Sequence, residues 1–267
     1  MLARPQAPAG RPDERGAALL VAILAALLLA VLGAGMLLTT ATDVQLAANH
    51  RDGLELFHLA DAAADLALGE LGARSDWNLV LDGAATSTFA DGPPTGARDI
   101  APGTRIVLDD LVNEANCGRP AGCSAAAVDA VTADRPWGPD NPRWHLFAWG
   151  PATGLAAFRR ADRPGYVVVL VADDQGETDG DPARDGLPGP DNPGAGVLVL
   201  RAQAFGAGGL RQMVEVTVSR TGAAVPTATP GDDGTVSQVA GTDGSETAAA
   251  GAAGPSFIRL LSWRWIR

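Results

Sequence analysis

Six carboxylates crowd into residues 173–186, where Asp173, Asp174, Glu177, Asp179, Asp181 and Asp185 are separated mostly by glycine, proline and small polar residues. Hard oxygen ligands on a glycine-rich loop suit calcium, which takes about six to eight of them. Asp173, Asp174, Glu177, Asp179 and Asp181 are the candidate ligands. The spacing of Asp179, Asp181 and Asp185 lacks the closing glutamate of the standard calcium loop, and the competing reading is an acidic turn solvated by water. Cys117 and Cys123, the only cysteines, bracket a Gly-Arg-Pro-Ala-Gly stretch. In an oxidising compartment such a pair closes a short disulfide loop, whereas a metal site would need further ligands close by. The histidines, His50, His58 and His145, are scattered, with no His-x-x-x-His pair and no Gly-x-Ser-x-Gly elbow. Hydrolase and zinc-enzyme chemistry therefore have no positive support, and the chain is expected not to be an enzyme. Six tryptophans accompany a single tyrosine. Trp77, Trp137, Trp144, Trp149, Trp263 and Trp265 are expected to pack in the core or on strand edges, with an adhesive surface pair as the alternative.

The element that must position these residues begins at the N-terminus. Residues 17–38 form an apolar run without charge or proline, ~33 Å long at ~1.5 Å per residue, enough to cross the hydrocarbon core of a bilayer. No cleavage site of the secretory type follows Leu38, so the run is expected to stay attached as an anchor. Arg4, Arg11 and Arg15 precede it and Asp43 is the first charge after it. The positive-inside tendency then places the N-terminus in the cytoplasm and the rest outside. The chain has 267 residues and a net charge of -11, and its 20 basic residues are all arginine. Such an acidic chain, with no basic stripe interleaved with aromatics, excludes nucleic acid as the expected partner.

No proline occurs between Ala17 and Gly92, so the apolar run continues as one helix to about Gly72. Val44, Leu46, Leu54, Leu56, Leu59, Leu66, Leu68 and Leu71 recur at broadly helical spacing, with Asp43, Asp52, Glu55, Asp61, Asp65 and Glu70 on the wetter side. Strands are expected at residues 104–109, 143–150, 165–172, 196–205 and 210–219, with a short helix from Leu108 to Asn116. The Gly206-Ala207-Gly208-Gly209 sequence marks a hairpin between the last two strands. Leu210, Gln212, Val214, Val216 and Val218 share one face of the second arm. The expected sheet is antiparallel with one face covered by the second half of the helix. Residues 221–255 read as a flexible low-complexity loop. Residues 256–267 are too apolar for a free tail and are expected to return as a closing edge strand.

The N-terminal region resembles the minor pilins of type IV pilus machines, in particular the PilX-like pilus assembly family. Arg15, Gly16 and Ala17 open the apolar run as in that family. The segment from Asn49 through Arg51, Phe57 and Ala60 to Leu68 is similar to its Asn-x-Arg-x(5)-Phe-x-x-Ala-Glu-Ala-Gly pattern, with Asp61 in place of the glutamate. Weaker similarity runs through Trp77, residues 141–150 and the terminal residues 261–264. The resemblance implies an α+β, pilin-like fold in which a long N-terminal helix, transmembrane and then periplasmic, packs on an antiparallel sheet. It implies cleavage after Gly16 by a prepilin peptidase, leaving Ala17 as the first mature residue. Residues 1–16 would be the leader, 17–38 the membrane half of the helix, 39–72 its periplasmic half and 73–220 a β-rich head. Pilins of this kind carry glutamate at the fifth mature position, which here is Val21. A subunit with no neighbour above it has no use for that carboxylate, so an initiation or tip role in type IV pilus assembly is expected. Other pilins, the peptidase and the inner membrane would be its partners. A GspK-like tip pseudopilin of a type II secretion system and a membrane-tethered periplasmic binding module are the alternatives.

Overall fold

The computed structural model describes residues 14–134, 142–159, 164–177, 180–185, 196–221 and 257–266. The expected loop at 221–255 lies almost wholly outside them. The chain divides into two compact units, one ending at Asp52 and one starting at Gly53.

Helix α1 (Glu14–Gly72) runs for 59 residues without a break. In the first unit every residue from Ala17 to Arg51 is exposed. The helix's most apolar 18-residue window has a mean hydropathy of 2.9, so α1 is long and apolar enough to cross a membrane. Where its composition turns polar, hydroxyls bond back along the helix. Thr39 and Thr40 donate to the Met36 carbonyl at 2.9 and 2.8 Å, and Thr42 donates to Leu38 at 3.0 Å.

The second unit is built on a five-stranded antiparallel meander, β3 (His145–Pro151), β4 (Gly165–Asp173), β5 (Val197–Gly206), β6 (Arg211–Thr221) and β7 (Phe257–Ile266), in that spatial order. Hairpin chemistry explains the β5–β6 connection, because Gly208 and Gly209 take φ of 70° and 77°, a region that side chains disfavour. One face of the sheet packs on the last turns of α1. Leu56, Leu59, Ala60, Ala63, Ala64, Ala67 and Leu71 are buried against Val167, Val169, Val171, Leu198, Leu200, Val214 and Val216. This stripe keeps the helical period, but its centre is alanine, whereas leucines were expected throughout. Leu54 is exposed and Leu66 and Leu68 are only partly buried. Small side chains let a helix approach a valine-covered sheet closely. The leucines at its margins use glycines instead: a Cβ on Gly165 would sit 2.9 Å from Leu59, and one on Gly206 3.0 Å from Leu56.

The opposite face is also covered, against the expectation of one bare side. Tyr166, Val168, Leu170, Ala172, Val199 and Phe205 form a second cluster with Trp144, Trp149, Leu108 and Leu111. Helix α3 (Leu108–Cys117) and the hairpin of β1 (Ala97–Ala101) and β2 (Thr104–Val107) supply that cover. The unbroken apolar run of β4, in which both alternating sets of side chains are buried, is the physical reason. Asn116 ties α3 to the sheet like a strand residue. Its amide accepts from the Trp144 N–H at 2.8 Å and donates to the Trp144 carbonyl at 2.9 Å. Two short α-helices, α2 (Asn78–Leu81) and α4 (Ala125–Asp134), and three single 3-10 turns at Ala152–Gly154, Ala156–Phe158 and Ala207–Gly209 are the other described elements.

Candidate functional site

Gly16 and Ala17 lie on helical backbone within α1, and Val21 is 65% exposed on it. A valine there adds apolar surface and no charge to a segment that is apolar over several turns.

Cys117 and Cys123 form a disulfide with their Cα atoms 5.9 Å apart. It clips the end of α3, which Gly118 terminates in the left-handed conformation by donating its N–H to the Glu114 carbonyl. Closing so short a loop contributes ~2 to 3 kcal/mol by restricting the unfolded chain.

The acidic loop starts at the last residue of β4. Asp173 and Glu177 are both buried. Burial first, then a hydrogen bond to Glu177 and its charge, push the Asp173 carboxyl well above the carboxylate range. Burial also raises Asp174, whose side chain accepts from the Gly176 N–H at 3.1 Å. Asp181 accepts from the Ala183 N–H at 3.2 Å and pairs with Arg184 at 3.5 Å. Asp185 accepts from the Gly196 N–H at 2.5 Å, and its own N–H donates to Asn78 at 2.8 Å. Asp179 lies outside the described residues. Among those described, no three histidine, cysteine or acidic side chains converge as a metal-binding group. Among the described residues of the loop, carboxyl groups meet backbone N–H groups, Arg184 and, for Asp173 and Glu177, each other.

Two features were not singled out from sequence. A cleft of about 340 Å³ opens between Gly83, Thr86, Asp109, Asn113, His145 and Leu146. Burial pulls the His145 imidazole below its ordinary value, so it is neutral at pH 7 and able to accept or donate a hydrogen bond. Only the tertiary fold brings residue 83 to residue 145, so no local spacing signals the cleft. The second feature is a charge cluster on the α3 side of the sheet. Buried Glu215 receives Arg201 at 2.7 Å and a shorter contact from Arg264, while Arg201 stacks 4.0 Å from the Trp144 ring centre. The cross-strand register places these residues opposite one another, with Glu215 facing Arg201 on one side and Arg264 on the other.

The tryptophans separate into two groups. Trp77, Trp144 and Trp149 are buried, whereas Trp263 and Trp265 on β7 are each 43% exposed. Trp137 lies outside the described residues. Phe57 of α1 meets both β7 indoles edge to face, at 5.7 and 5.9 Å between ring centres. Asp61, in the position of the glutamate of the pilin-like pattern, accepts from the Trp263 Nε1–H at 3.1 Å.

No protein-family model, no curated protein and no solved structure matches this chain.

Proposed function

We propose that this chain is a minor-pilin-like structural subunit acting in type IV pilus assembly, at initiation or at the tip, and that it works by packing its helix beside those of other pilins. The observation that carries this reading is α1 itself. It runs unbroken from Glu14 to Gly72, is apolar and exposed through its first turns, and buries an alanine face against an antiparallel meander in its last ones. A helix exposing that much apolar surface is stable in lipid or against other helices, not in water. With the Arg15-Gly16-Ala17 junction in its first turn, the arrangement fits an inner-membrane subunit whose N-terminus is cytoplasmic and whose second unit is periplasmic. The disulfide is in keeping with that compartment.

Expression with and without a prepilin peptidase, followed by intact mass and N-terminal sequencing, tests this directly. The expected product is a peptidase-dependent start at Ala17. An intact Met1 in both samples, or a start beyond Leu38, would overturn it. The cleft at His145 favours a second reading, a membrane-tethered periplasmic binding module. That reading requires an unprocessed Gly16 and a monomer in detergent. A GspK-like tip pseudopilin shares the helix chemistry and is separated by copurification with secretion-system rather than pilus subunits.

A further inference from the structure

The two edges of the five-stranded sheet are treated differently. At β3 the chain closes the edge with its own backbone. Ser87 N–H donates to Phe147 O at 2.7 Å, Trp149 N–H to Phe89 O at 3.1 Å, and Asp91 N–H to Trp149 O at 2.9 Å. At β7 no described segment does this. The strand pairs with β6 on one side and ends the sheet order on the other. It runs for ten residues without proline, and a single register shift opposite Thr217 and Val218 is its only irregularity. An edge of that length and composition is a template for another strand.

We propose that β7 is a docking edge for an extended segment of another protein, one that alternates apolar and acidic side chains and adds a sixth strand. The register determines that chemistry. Trp263 and Trp265 lie opposite Val216 and Val214 on the α1 side of the sheet. Their indoles are held in place by Phe57, by Asp61 and by a 2.8 Å bond from Trp265 Nε1 to Gln212 Oε1, so they present preorganised, half-exposed apolar surface. On the other face Arg259 and Arg264 lie opposite Ser219 and Glu215. Both are exposed, and Arg264 remains 65% exposed although it contacts Glu215. Thus β7 has two arginines and no acid in a chain of net charge -11. An incoming strand that puts apolar side chains beside the indoles and carboxylates beside the arginines satisfies both faces and extends the sheet order beyond β7. A second copy of β7 fits worse, because full-length antiparallel pairing, centred between Leu261 and Ser262, would set Arg259 against Arg264. The inference does not depend on processing at Gly16.

The test uses the full chain in lipid nanodiscs and two capped, fluorescently labelled ten-residue probes, one alternating valine with glutamate and one alternating valine with lysine. Fluorescence anisotropy and tryptophan emission report binding. The valine–glutamate probe is expected to bind roughly tenfold more tightly than the valine–lysine probe, from two cross-strand charge pairs, and to shift the tryptophan emission. Arg259→Glu, on an exposed side chain, should narrow or reverse that ratio with near-UV circular dichroism unchanged. Trp265→Ser should weaken both probes alike. No binding by the folded chain, equal binding of the two probes, or a concentration-dependent dimer in sedimentation that Trp265→Ser dissolves would each overturn the proposal, the last by assigning the edge to a second copy.

Discussion

At the scale of single residues, Asp173 and Glu177 pose the sharpest energetic question, because two carboxyl groups share one buried position. Raised proton affinity in the folded state means that Asp173 favours folding fully below the ordinary carboxylate value of 3.8 and loses that contribution as pH rises above it. Asp173→Asn removes the ionisation and keeps the shape. The substitution should raise the melting temperature by ~2 to 6 °C at pH 7.5, where ionisation opposes burial, and by much less at pH 4. A gain confined to pH 4 would reverse the assigned sign. Calcium at this loop would have to displace the same proton. Calorimetric titration in two buffers of different ionisation enthalpy therefore separates the readings: heat that scales with the buffer indicates a metal, and no heat in either leaves an acidic turn without one. Glu215 is the complementary case, a buried carboxylate with a guanidinium on each side. Glu215→Ala leaves Arg201 on Trp144 without its anion and should cost about 3 kcal/mol, read as a lower urea midpoint, with Glu215→Gln less harmful. The sequence displayed the acidic run because charge density is local. The buried pair was not legible, since it depends on which two of six carboxylates the end of β4 turns inward.

At the scale of elements, helical period was visible but the size of the packed side chains was not. Apolar spacing drew attention to leucine, yet Ala60, Ala63, Ala64 and Ala67 carry the contact and are essentially fully buried. Their selection depends on β4, β5 and β6, whose valines and leucines already fill the space, and no window of α1 contains that information. Ala63→Leu should therefore overpack the contact and cost ~1 to 3 kcal/mol in denaturant unfolding. Asp65→Leu, on the exposed side of the same turn, should stay within about 0.5 kcal/mol. Equal effects would mean that the helix does not seat on the sheet through its alanine face. Strand positions were legible because β4 to β6 are runs of valine and leucine broken by glycine. Helix α4 was not, its alanine-rich sequence lacking an apolar period, and neither was the backbone pairing of Ser87, Phe89 and Asp91 with β3, which uses no side-chain pattern at all.

At the scale of the whole molecule, the α+β plan follows from two properties that sequence displays directly, an uninterrupted apolar start and a series of short β-branched runs. What the molecule assembles with is a matter of surfaces, and under the proposed function the surface residue to test is Val21, where the pilin-like pattern has glutamate. A carboxylate in a lipid-facing segment costs roughly 2.5 to 3.5 kcal/mol on insertion scales unless a cation pairs with it. In a shaft the amine of a neighbouring mature subunit would supply that cation. On the proposed reading, Val21 would avoid the cost and forgo the pairing, as suits a subunit that enters first and has nothing above it. Val21→Glu should then change location while leaving the fold of the second unit unaltered. Under the tip reading, immunogold labelling finds the wild-type chain at one end of each filament, and Val21→Glu spreads label along the shaft and reduces filament number, because initiation is diverted into ordinary incorporation. Wild-type label distributed along the filament, or a variant that stays at the tip with filament number unchanged, would show that position 21 does not decide where this subunit sits.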